Sequence, residues 1–291
     1  MDIKQEISSS ISAYDFFGWK LEKWKQYSLK YHPDMPEGDI EVFKQLNNLK
    51  ELVFKDVNID LKDCKLTRII NYDFDSTTYL TNRGTYFFIA RNASFNSNVE
   101  RSYKQLSSIH SNPSLNQLYP FYPKPINFRK LNGRNCFEYQ IKTKHISLDE
   151  MKNVYFQNGL PKEHIYWIIR RITVALHALH SQDLFITRLD PKSIIVSPEE
   201  HNVKIINLSN VKNRYSKFKD NRYTVPCKEH DISLCEDLIK FMVGPDTGDI
   251  PKSIFSSYQL KDVLSIYDKF GEILEKQPGG RKYSELILWD K

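Results

Sequence analysis

The sequence predicts an α+β protein: a small helical hairpin, then a body whose first part is antiparallel β-rich and whose second part is α-rich. Three observations lead there. Before about residue 54 the apolar residues recur at helical spacing. From residue 67 the pattern shortens into segments rich in Thr, Tyr, Phe and Ile, broken by Asp, Asn and Gly. After Pro161 a long helical periodicity returns. The expected boundaries are 1–58, 62–145 and 146–291.

In the first region, Leu21, Trp24, Ser28 and Tyr31 fall on one helical face, and Lys20, Lys23, Lys25 and Lys30 occupy the remainder. Pro33 must end this helix, because proline disfavours helical geometry in the residue before it. Asp39 is placed to cap a second helix, with Glu41 in its first turn. Phe43, Leu46, Leu49 and Val53 give that helix an apolar stripe. The two helices are expected to pack antiparallel around the loop.

Residues 67–72, 77–81 and 85–90 read as strands, with Asn82-Arg83-Gly84 as one turn. A helix is expected over 98–109. Two further strands, 126–131 and 135–142, turn at Asn132-Gly133. Pro161 suits the first turn of a core helix running to about His180, whose Ile165, Ile168, Ile169, Ile172, Leu176 and Leu179 are spaced for burial.

Across 291 residues, 40% hydrophobic and 13% aromatic content suffices for a packed core, and the +6 net charge is modest. Neither a membrane nor nucleic acid is an expected partner. The basic, aromatic-containing stretch from Lys212 to Lys219 reads as a solvated loop. Cys64, Cys136, Cys227 and Cys235 form no Cys-x-x-Cys pair and have no histidine at zinc spacing, so free thiols and no metal are expected. The first residues lack an apolar leader, and no apolar run reaches the length of a membrane span. The expected location is cytoplasmic. His177 and His180, a turn apart, read as packing residues.

Lys30-Tyr31-His32-Pro33-Asp34, followed by Phe43-Lys44-Gln45-Leu46-Asn47, resembles a J-domain over residues 14–54. Tyr14-Asp15-Phe16-Phe17-Gly18-Trp19 resembles the end of that family's first helix, with a shorter linker to the second. The resemblance implies a partner, a DnaK-type ATP-dependent chaperone. It also implies that His32, Pro33 and Asp34 form the trigger and Lys23, Lys25 and Lys30 the docking face. A row of lysines would steer an acidic partner.

The larger region resembles the protein-kinase fold. Ile186-Thr187-Arg188-Leu189-Asp190-Pro191-Lys192-Ser193-Ile194-Ile195-Val196 aligns without gaps to the family's catalytic loop. Val203-Lys204-Ile205-Ile206-Asn207-Leu208-Ser209 is similar to the strand entering the metal-binding Asp-Phe-Gly. Tyr223-Thr224-Val225-Pro226, Asp231-Ile232-Ser233-Leu234 and Pro278-Gly279-Gly280-Arg281 through Glu285-Leu286 are similar to later landmarks.

Phosphoryl transfer needs a phosphate-binding lysine, a carboxylate at the acceptor hydroxyl, and Asn and Asp on magnesium. The resemblance puts Arg91, Arg188, Ser193 and Asn207 at those positions. Asp73-Phe74-Asp75-Ser76-Thr77-Thr78 stands for the glycine-rich loop and contains no glycine. Glu100 is the candidate helical partner of Arg91.

The expectation is a pseudokinase without cofactor, serving as an adaptor for an unknown client. Two alternatives remain. In one, a register shift makes Asp190 the catalytic aspartate of a divergent kinase or nucleotide-binding enzyme. In the other, the hairpin clamps its own second module.

Overall fold

The computed structural model describes residues 21–36, 38–54, 61, 64–73, 75–141, 145–216, 225–247, 250 and 262–275. The motifs expected at 14–19, 223–224 and 278–286 lie outside them.

Two helices open the described chain: α1 (Leu21–Lys30) and α2 (Ile40–Phe54). Asp39 caps α2 as expected, its Oδ1 accepting from the backbone N–H of Glu41 at 3.0 Å and Val42 at 3.1 Å. Five strands follow: β1 (Leu66–Tyr72), β2 (Ser76–Thr81), β3 (Tyr86–Ala90), β4 (Lys124–Leu131) and β5 (Arg134–Gln140). They form one antiparallel sheet in the order β1-β2-β3-β5-β4. The β4–β5 hairpin turns at Asn132-Gly133, where both residues have positive φ (50° and 77°); Asn and Gly are the residues that tolerate this. Helix α3 (Asn96–Ser111) is inserted between β3 and β4.

The second half holds β6 (Ile146–Ser147), α4 (Lys162–His180), β7 (Leu184–Ile186), β8 (Ile194–Ser197), β9 (Asn202–Ile205), β10 (Val211–Asn213), α5 (Lys228–Met242) and α6 (Val263–Glu275). Pro161 sits just ahead of α4 rather than within its first turn. Of the two histidines on α4, His177 is exposed. His180 is buried, its Nε2 lying 2.7 Å from Asp231 Oδ2, which also accepts from the Ile186 N–H.

All of β3 is buried, and its side chains divide by alternation. Tyr86, Phe88 and Ala90 join the core shared with α3 and the second half, whereas Phe87 and Ile89 point to the other face. That face is covered by the hairpin: Val42 and Leu46 of α2 are fully buried with Leu66, Ile69, Tyr79, Phe87, Ile89 and Cys136. Trp24, Tyr27 and Tyr31 of α1 pack at the rim. The hairpin and the sheet therefore share one core. A sheet buried on both faces explains why Tyr86-Phe87-Phe88-Ile89-Ala90 shows no polar alternation.

Candidate functional site

Two polar constellations are candidates: the cleft between the sheet and the second half, and the loop of the hairpin. In the cleft, the carboxyl end of β1 runs against the short 3-10 turn Pro191–Ser193. The β1–β2 pairing shifts register between Ile69 and Asn71 there. The Asn71 amide donates to Ser193 Oγ at 3.4 Å. Asp73, just beyond, accepts from Arg188 Nη2 at 3.0 Å, and Asp190 Oδ2 accepts from the same nitrogen at 3.1 Å. The Asp73 side chain is only 4% exposed and Arg188 is half-exposed. Burial works against the Arg188 charge, but Asp73 and Asp190 outweigh it and raise the guanidinium pKa. Asp190 also caps its turn through the Lys192 N–H.

Asp75 ties a second seam. Its carboxylate accepts from Asn98 Nδ2 of α3 at 2.9 Å and from the Ser209 hydroxyl at 3.4 Å, and its backbone carbonyl accepts from the Arg91 N–H. Asn207 is buried, and its Oδ1 accepts from the Ser209 N–H at 2.9 Å. Helix α3 contributes Ser102, whose Oγ accepts from the Leu208 N–H, and Arg101, which donates to the Ser209 carbonyl. The Tyr139 hydroxyl donates to the Ile206 carbonyl.

Arg188, Ser193 and Asn207 are thus brought to one seam, with Arg91 tied in through its backbone. Glu100 is not part of it. Its partner is Lys104, one turn along α3 at 2.6 Å, and that hydrogen bond together with the ammonium charge lowers its carboxyl pKa. The expected pairing with Arg91 is replaced by the pair with Lys104, while Asn98, Arg101 and Ser102 of the same helix contact Asp75, the Ser209 carbonyl and the Leu208 N–H. Sequence reasoning had placed Asp73 and Asp75 in the glycine-rich-loop position without a role. The available signal was complementarity, two aspartates facing an arginine that replaces a carboxylate. Among the described residues, no group of three or more His, Cys, Asp or Glu side chains is placed to hold a metal ion.

The loop constellation is built differently. After α1, a turn is closed by the Met35 N–H donating to the His32 carbonyl at 2.9 Å. The Asp34 N–H donates to His32 Nδ1 at 3.3 Å, and Asp34 Oδ2 lies 3.4 Å from the same nitrogen. One contact uses the nitrogen's lone pair and the other its proton, so they are alternatives. The His32 ring stands edge-on to Phe43, centroids 5.0 Å apart. Gly38 closes the loop: a Cβ there would lie 2.3 Å from the His32 carbonyl oxygen and 2.8 Å from that of Met35. Pro33 and Asp34 are exposed, the Asp34 side chain by 89%, and His32 is 44% exposed. Lys25 and Lys30 are exposed. Lys23 and Lys30 also lie over the Tyr27 and Tyr31 rings, at 5.6 Å and 5.2 Å.

No protein-family model matches the chain, and no curated protein matches it. Among solved structures, the chain is similar to vaccinia related kinase 3, at 13% identity over 73% of each chain with a TM-score of 0.46. It is also similar to the Mycobacterium tuberculosis PknI kinase domain, at 9% identity over 74% of this chain and 98% of that one, with a TM-score of 0.49. Within the chain itself, a five-stranded antiparallel sheet with one helix inserted after its third strand, then a helix-rich half, is a protein-kinase-like arrangement. No helix among the described residues is long and apolar enough to cross a membrane.

Proposed function

We propose that this protein is a co-chaperone and adaptor. Its hairpin recruits a DnaK-type chaperone and stimulates that chaperone's ATPase, and its kinase-like body is a catalytically inactive scaffold for a client or partner. The observation that carries this reading is the contrast in exposure. His32, Pro33 and Asp34 stand at a loop open to solvent, on a hairpin whose other side is anchored to the sheet. Anchoring and display are compatible because α2 supplies the buried contacts and α1 with the loop supplies the exposed ones. Helix α2 does pack on the chain's own sheet, so it is the exposure of the loop that favours this reading over a purely internal clamp.

The chemistry of the cleft supports an inactive body. An arginine at the catalytic position has no lone pair to accept a hydroxyl proton, and its charge is already matched by Asp73 and Asp190. Ser193 and Asn207 are neutral, so neither supplies the carboxylate that a magnesium–phosphate pair needs. Asp73, Asp75 and Asp190 set three negative charges around Arg188, an environment that disfavours a polyphosphate. Asp190 serves as the register-shifted catalytic base only if Arg188 releases it.

The test is ATP turnover by a purified DnaK-type chaperone with the full chain added. Stimulation by wild type that is lost with His32→Gln supports the reading. Equal stimulation by both proteins, or none by wild type, removes it.

A further inference from the structure

Seven large apolar side chains are conspicuously exposed among the described residues, and three of them fall between residues 29 and 40: Leu29 at 68%, Met35 at 43% and Ile40 at 54%. The backbone holds these three around one loop. Leu29 is in the last turn of α1, Met35 is in the turn closed on His32, and the Asp39 N–H donates to the Tyr31 carbonyl at 3.2 Å, which places the start of α2 beside the end of α1. None of the three packs into either of the two hydrophobic cores. Helix α1 turns Trp24, Tyr27, Ser28 and Tyr31 toward the sheet core, so Leu29 shares the solvent-facing side with Lys25, Gln26 and Lys30. Ile40 precedes the buried Val42 and faces away from it.

We propose that Leu29, Met35 and Ile40 are apolar anchors of the docking surface, and that they specify an acidic partner surface carrying an apolar socket. This deepens the co-chaperone reading and rests on it, with the chaperone's ATPase domain as the committed occupant. The exposed Lys25 and Lys30 flank Leu29 in the last turns of α1, so a fitting partner offers carboxylates around an apolar depression. A cluster of exposed aliphatic side chains beside a polar trigger is the composition expected of an interface centre with a charged rim. The division of labour follows: lysines govern encounter and salt dependence, aliphatic anchors govern residence, and His32 with Asp34 governs activation.

The experiment compares ATPase stimulation against co-chaperone concentration for wild type, Leu29→Ser/Ile40→Ser and His32→Gln. Circular dichroism and Tm are measured in parallel; because both substituted side chains are exposed, the fold is expected to be unchanged. The double variant is expected to need about tenfold more protein for half-maximal stimulation, with the maximum preserved. His32→Gln is expected to lose the maximum instead. A double variant indistinguishable from wild type, while His32→Gln is inactive, overturns the anchor assignment alone. Absence of stimulation by wild type overturns the co-chaperone reading and the anchors with it. Sedimentation showing a wild-type dimer that Leu29→Ser/Ile40→Ser dissociates, with stimulation unaffected, also overturns the proposal, in favour of self-association.

Discussion

The hairpin loop and the kinase-like cleft use similar side chains to opposite ends. At the loop, the side-chain polar contacts of His32 and Asp34 are to each other, the His32 ring stands edge-on to Phe43, and Asp34 is almost fully exposed. In the cleft, Asp73 is buried against Arg188, and Asp75 is bound by Asn98 and Ser209 from two other elements. Polar groups that satisfy one another across a seam bring parts of a fold together. Those left at an exposed turn remain available to a second molecule. The difference teaches that a motif's residue types indicate less than where its hydrogen bonds end.

Four single substitutions and one double variant test this contrast. The largest effect is expected from Leu46→Ala, which empties a fully buried site between α2 and the sheet. A loss of about 3 kcal/mol is expected. Because hairpin and sheet share that core, chemical denaturation should show one transition, shifted as a whole. Separate hairpin and body transitions would show that they do not share a cooperative core.

Next comes Arg188→Ala, which leaves the Asp73 carboxylate buried without its guanidinium. Arg188 is half-exposed, so the full cost of breaking a buried pair is discounted, and about 2 kcal/mol is expected. Adding Asp73→Ala should recover part of the loss, because the stranded charge disappears with it. Strict additivity in urea melts would mean that the pair does not hold the seam.

Gly38→Ala is a smaller global perturbation, about 1 kcal/mol, but a severe local one. Its Cβ would meet backbone oxygens rather than flexible side chains, so the His32 and Met35 carbonyls must move. Chaperone stimulation should fall with only a slight change in Tm. Unchanged stimulation would mean that the loop's exact shape is irrelevant to activation. His32→Gln should leave Tm nearly unchanged, since the ring's polar contacts are at an exposed turn. A large drop in Tm would mean that the histidine serves the fold instead.

Much of the fold was legible from periodicity. The strands from Leu66 to Ala90 and the inserted helix fall within a residue or two of their expected positions, and Asp39 caps as its spacing implied. What the hairpin packs against was not legible. An apolar stripe such as Val42 and Leu46 states that a face is buried, not which surface buries it. The missing clue lay in β3, where Phe87 and Ile89 alternate with Tyr86 and Phe88 and so demand cover on both faces.

The cleft was half legible. Substituted catalytic positions mark Arg188, Ser193 and Asn207, but helical rotation decides which residue of α3 reaches inward. Glu100 pairs with Lys104, whereas Asn98 and Arg101 reach the Asp75 carboxylate and the Ser209 carbonyl. Asp73, just past the end of β1, gained a role only through its contact with Arg188, 115 residues along the chain.

The cleft is filled by polar contacts between separate parts of the chain, whereas those of the loop are local and exposed. Calorimetric titration of the wild-type chain with ATP, with and without magnesium, probes that difference. No saturable heat is expected at millimolar nucleotide in either case. Saturable, magnesium-dependent binding accompanied by labelled phosphoryl product would contradict it and make the kinase-like body an enzyme.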